Sequence, residues 1–208
     1  MVRFANLWGD VRSYVTGCIE SSSEAPWQPT SLYTIINGRL NDMECDFPRF
    51  YRYDSARFLE RSEEEISAKR EYWLPWMRVQ VSFHAVHCLL NHPFIYSAAL
   101  KRRSGHNAFW NTSSELALLH STWIARIIDS AAKKNLELAD PFFAYAAAVA
   151  ATLHFYWTCA TNLDVRASAE RNLSICRTLI TSMKSHWEVC RVLVSLWVGC
   201  TLSYAKTC

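Results

Sequence analysis

Glycine and proline are scarce, five and six residues in a chain of 208, less than half of the roughly 12% they make up together in ordinary proteins. So few turn-formers argue against hairpin-rich β architectures, and with 50% hydrophobic residues the balance favours long helices. The glycines, at 9, 17, 38, 105 and 199, build neither a G-x-S-x-G elbow nor a phosphate-cradling loop. Magnesium-holding acidic clusters are missing as well. Asp42, Glu44 and Asp46 alternate instead of following the helical carboxylate spacing, and Asp164 and Ser168 lead to Asn172 where a glutamate is needed. No catalytic residue is assigned, and the chain is not expected to be an enzyme.

The eight cysteines, at 18, 45, 88, 159, 176, 190, 200 and 208, contain no C-x-x-C pair and no small-framework spacing, which excludes zinc ribbons and a disulfide scaffold. They read as reduced thiols of an intracellular protein, with Cys88, Cys159 and Cys176 in apolar stretches where a thiol behaves as a small buried hydrophobe. Charge of one sign is also lacking. A formal net charge of +3 gives no nucleic-acid footprint, and Lys101, Arg102 and Arg103 fit a solvated helix end. No residue is assigned to DNA binding. Asp10, Arg12 and Glu20 interrupt the region where a signal peptide needs its apolar core, so secretion is not expected.

What is abundant is aromatic surface: nine Trp, nine Tyr and ten Phe, enough for a large helical interior or an apolar pocket. We expect one all-α domain over 1–208, with loops near 18–30 and 104–112. Phe4, Leu7, Trp8, Val11 and Val15 fall at helical spacing up to Gly17. Trp27, between Pro26 and Pro29, is expected to anchor a polar loop on the core. Leu32 to Met43 reads as helix. Asp54 is placed as the cap of a helix carrying Phe58, Leu59, Ile66 and Tyr72 towards Leu74-Pro75, with a charged, solvent-facing middle from Arg61 to Arg70. From Trp76 to Asn91 the stripe is Val79, Phe83, Val86 and Leu90. Thr112 and Glu115 form a capping box for a helix over 113–134 with Leu116, Leu119, Trp123 and Ile127 inward. Pro141 opens the next helix, Asp164 caps another with Leu173, Cys176, Ile180 and Met183, and a last helix covers Trp187 to Tyr204.

From Pro141 to Leu163 no Asp, Glu, Lys or Arg occurs, a length that can in principle span a bilayer. Its alanines, with His154, Thr152, Thr158 and Asn162, and the lack of a flanking Lys or Arg cluster suit a helix buried in a soluble core, and no membrane association is expected. Ala144, Ala147, Ala148 and Ala151 would let neighbours approach, with Phe142, Tyr145, Val149 and Tyr156 on the opposite side. Trp123, His154, Tyr156 and Trp157 are the candidates for lining a ligand pocket. His84, Cys88 and His92 share a helix face beside His87, but eight residues separate the outer pair by about 12 Å, too far for one zinc ion. No metal or other cofactor is expected in this chain.

Three stretches in this order resemble the middle-homology regulatory region of fungal binuclear zinc-cluster transcription factors. Leu-Trp-Gly-Asp-Val-Arg-Ser-Tyr-Val at 7–15, ahead of Pro26-Trp27, is similar to that region's first helix and Pro-Trp loop. His-Ala-Val-His-Cys-Leu-Leu-Asn-His-Pro-Phe at 84–94 is similar to its histidine-rich helix. Pro-Phe-Phe-Ala-Tyr through Thr-Leu-His-Phe-Tyr-Trp, over 141–157, resembles its alanine-rich central helix. The resemblance implies an all-α regulatory region in the nucleus that relays or restrains activation. Its implied partners are the transcriptional machinery, regulator proteins and, in some members, a small-molecule inducer; control of secondary metabolism is a common role. The six closely spaced cysteines that hold two zinc ions in the family's DNA-binding part have no counterpart here. The chain is therefore expected to be a partial product that does not itself bind DNA specifically. The alternative is a stand-alone helical module for small-molecule binding or protein interaction.

Overall fold

The computed structural model describes residues 2–20, 25–93 and 108–192. The chain is all-α, and no strand occurs among the described residues. Among the described residues these α-helices run in order: α1 Val2–Glu20, α2 Leu32–Asp46, α3 Tyr53–Ala56, α4 Glu63–Ala68, α5 Arg70–Leu90, α6 Ala108–Lys133, α7 Pro141–Trp157 and α8 Leu163–Met183. Short 3₁₀ turns at Arg49–Tyr51 and Phe58–Glu60 join the small ones. The residues form two compact units, Met1–Phe58 with Val86–Ala117, and Leu59–Ala85 with Leu118–Cys208.

In the first unit α1 packs on α2. The core holds Leu7, Val11, Tyr33, Ile36, Leu40, Val86 and Leu90, with Phe4, Trp8 and Val15 against it, so the stripe expected in α1 faces inward. Gly17 does not stop α1, which continues to Glu20. Ser31 sets the start of α2: its Oγ accepts from Thr34 N–H at 3.2 Å and donates to the Pro26 carbonyl at 2.7 Å, tying cap and preceding turn together. α2 runs three residues beyond Met43. Trp27 is not a core anchor. It is 41% exposed, with its ring 6.0 Å from that of Phe109, and Ala25 and Pro26 are the buried members of the loop.

A buried polar cluster sits in the same unit. Tyr33 Oη donates to Asn91 Oδ1 at 2.8 Å, Asn91 Nδ2 donates to the His87 carbonyl at 2.9 Å, and Ser113 Oγ donates to Asn91 Oδ1 at 3.2 Å. Asn91 has no exposed surface. Burial pushes the Tyr33 phenol up to about 12.

The single helix expected from Asp54 is divided. Arg57, at a φ of 50°, ends α3, and Ser62 starts α4 afresh through a reciprocal capping box with Glu65. Asp54 lies in the first turn of α3, whose cap position is Arg52. Ile66 is the buried residue of the charged stretch, as its spacing implied, and the rest of 61–70 faces solvent. α5 runs straight through Pro75. Trp73, Trp76 and Met77, all buried, flank the proline, and their packing outweighs the one backbone hydrogen bond it forfeits.

α6 begins by Ala108, so Thr112 and Glu115 are exposed positions within it, not a capping box. Phe109 and Trp110 pack on the first unit's core, so the helix begins ahead of the expected start signal at Thr112. Its buried face is also rotated from the expected one: Ser113, Ala117, His120, Ile124, Ile127 and Ala131 are inside, and Leu119 is 50% exposed. Ile127 is buried as expected and Leu116 and Trp123 are half-buried, while in the first half of the helix the small or polar Ser113 and Ala117, which allow close approach, face inward.

In the second unit α7 packs along α8. Asp140 caps α7 with Pro141 in the first position, as expected. Ala144, Ala147 and Ala151 are buried, joined by Ala146, Ala150, Phe143 and Leu153, while Tyr145 and Tyr156 point outward. The helix ends at Trp157, and no helix among the described residues is long and apolar enough to cross a membrane. Cys88 and Cys176 are buried, but Cys159 is exposed in the turn after α7. Asn162, not Asp164, caps α8: its Oδ1 accepts from Asp164 N–H at 2.9 Å and Val165 N–H at 3.2 Å. Asn162→Ala is expected to destabilise the protein by about 1 kcal/mol, read as a lower urea midpoint with unchanged slope. Cys176, Ile180 and Met183 form the buried stripe of α8. The last expected helix is seen over 188–192; its remainder, Lys101 to Arg103, and the 104–107 part of the second loop lie outside the described residues.

Candidate functional site

A groove of about 740 Å³ lies within the second unit. One wall is the C-terminal end of α6, the second is the connection 134–140, and the third is the C-terminal half of α8 with the turn to Trp187. Its shape starts with Asn135. This residue adopts a φ of 50° and ends α6 in a Schellman turn, with Leu136 N–H on the Ala131 carbonyl at 2.9 Å and Asn135 N–H on the Ala132 carbonyl at 3.1 Å. The chain then runs extended, so Leu136 and Leu138 are buried and Glu137 and Ala139 are exposed.

Contacts outside the groove hold this connection in place. Lys134 Nζ donates to the Arg61 carbonyl at 2.7 Å, Asn135 Nδ2 donates to Glu63 Oε2 at 2.7 Å, and Arg78 pairs with Asp140 while its guanidinium lies over the Phe142 ring. Trp187 Nε1 donates to the Ala139 carbonyl at 2.9 Å, fixing the indole as part of the groove's lining. The site is therefore preformed: apolar at its base, polar at its edge, and within the roughly 300–1,000 Å³ typical of small-molecule sites.

None of the four sequence candidates lines this groove. Trp123 stacks on His84, centroids 5.5 Å apart and planes within 3°, with the Arg126 guanidinium 4.7 Å from the indole. Tyr156 and Trp157 meet edge to face, and Tyr156 is 43% exposed. His154 is fully buried, and neither ring nitrogen finds a hydrogen-bond partner of good geometry. Burial drives it down to about 4, opposed in part by a contact with the Ser121 backbone.

The histidine row of α5 is also dispersed. His84 meets His120, 36 residues away in sequence, Nδ1 to Nδ1 at 2.9 Å, so one ring donates and the other accepts. His87 and His92 are each pushed to about 4 by burial. No group of three or more metal-ligating side chains occurs among the described residues.

No protein-family model matches the chain, and no solved structure matches it. It is similar to the Zn(2)-C6 fungal-type transcription factor FTF2 of Fusarium oxysporum f. sp. lycopersici, with 22% identity over 193 residues. That alignment covers 90% of this chain, and the chain spans 17% of the length of that relative. The sequence is thus related to a fungal zinc-cluster transcription factor along nearly all its length.

Proposed function

We propose that the chain is a regulatory, non-catalytic region of a fungal transcription factor of the middle-homology type. It acts in the nucleus through regulator proteins or the transcriptional machinery and does not contact DNA specifically. The observation that carries this is the similarity to FTF2, which extends over 90% of the chain instead of a short motif. It is supported by the all-helical architecture and by cysteines too widely spaced to form a binuclear zinc cluster.

Gel-shift titration of the isolated chain at physiological salt tests the DNA half of the proposal. Weak, sequence-independent retardation is expected, since a net charge of +3 releases few counterions. Tight binding to one sequence with a steep salt slope would refute it.

A further inference from the structure

The groove by Trp187 has a chemical bias that narrows what it can hold. Its apolar surface comes from Ile128, Leu136, Leu138, Ile175, Leu179 and Met183. No Lys or Arg is among its lining residues. Both acids at its edge are already matched by cations: Asp129 by Lys133 at 2.6 Å, and Glu137 by Arg70 at 3.8 Å. Two of its three hydroxyls are turned back on their own helix, Thr178 Oγ1 donating to the Ser174 carbonyl at 3.0 Å and Ser182 Oγ to the Leu179 carbonyl at 2.8 Å. Their lone pairs, with the Ser174 hydroxyl and the His186 ring, are what the lining offers a ligand.

A carboxylate or phosphate entering here would lose water and meet acceptors without a free counter-charge, which is costly. A cation would have to displace Lys133 or Arg70 to find one. An uncharged molecule avoids both penalties.

We propose that this groove binds an uncharged, mainly apolar small molecule bearing hydroxyl or phenolic donors, held against the Trp187 indole. Binding does not require the transcriptional role, so either can fail alone. The test titrates the purified full chain calorimetrically with three probes that share one ring system: naphthylethanol, naphthylethylamine and naphthylacetate. One equivalent of the alcohol is expected to bind, at least about tenfold more tightly than the carboxylate.

Thr178 is an exposed lining residue, and Thr178→Trp is expected to fill the groove and weaken the alcohol by more than about tenfold without shifting thermal unfolding. Ser174→Trp, also at an exposed lining position, repeats this independently if the first variant folds poorly. The proposal is overturned if the carboxylate binds as well as the alcohol, if no probe binds, or if both bulky variants keep full affinity. Self-association that these variants disperse, in a chain that binds no alcohol, would also overturn it and identify a second copy as the occupant.

Discussion

Lowering the pH from 7 to 4.5 is expected to remove most of the protein's stability. His87, 5% exposed, and His154, with no exposed surface, are both held to about 4 by burial, against an ordinary value of 6.5. The sign follows from proton uptake. Below pH 6.5 the unfolded chain binds protons that the native chain refuses until about pH 4, so stability is complete above 6.5 and drains away between the two values. At pH 4.5 each buried ring accounts for roughly 2–3 kcal/mol, against a total of roughly 5–15 kcal/mol for a domain. His92 shifts in the same direction but keeps some contact with solvent, and it adds less. Urea unfolding at a series of pH values measures the loss directly. His154→Leu, close in volume and unable to protonate, should recover roughly 2–3 kcal/mol of the drop between pH 7 and 4.5. A flat stability profile across that interval would contradict the assignment of neutral, buried imidazoles.

The second large effect is expected at Asn91. Asn91→Ala removes the acceptor of Tyr33 Oη in a site closed to water, leaves Ser113 Oγ only the Asn91 backbone carbonyl at 3.4 Å, and deletes the donor to the His87 carbonyl. Stranding one buried hydroxyl costs about 1–3 kcal/mol and losing the other bonds adds to it, so destabilisation of about 3 kcal/mol is expected. Tyr33→Phe, which deletes a donor but strands less, should cost about 1 kcal/mol. Urea midpoints for the two variants and their combination form a cycle, and strong non-additivity is expected because the groups share one network. Equal, small and additive losses would show that the cluster is not a unit.

Helix positions were legible where apolar side chains repeat at helical spacing, as in α1, α2 and α8. One start was legible from backbone chemistry alone, Pro141 in the first turn of α7, whereas its cap Asp140 was not singled out. Errors arose where packing outweighed local signals. Trp73, Trp76 and Met77 carry α5 through Pro75, Phe109 and Trp110 start α6 ahead of Thr112, and the Ser62–Glu65 box breaks a helix that apolar spacing alone made continuous. The buried face of α6 was misjudged because Ala117 and Ser113 pack inside while Leu119 does not.

The groove was not legible. It joins residues from 128–139 with residues from 174–187, and nothing at either place stands out singly. The available signal was Asn135, a residue tolerant of left-handed backbone, followed by the alternation Leu136-Glu137-Leu138-Ala139 before Asp140-Pro141. The aromatic and histidine candidates drew attention instead, and they serve packing: Trp123 against His84, and His154 inside the second unit.

The central claim, a regulatory region that works through other proteins, is tested most directly by joining residues 1–208 to an unrelated DNA-binding domain and reading a reporter under that domain's sites in a fungal nucleus. Output is expected to change severalfold relative to the DNA-binding domain alone, and the Asn91→Ala variant, which loosens the fold, should bring it back towards that baseline. Output indistinguishable from the DNA-binding domain alone, with the fusion present at equal level in the nucleus, would contradict it.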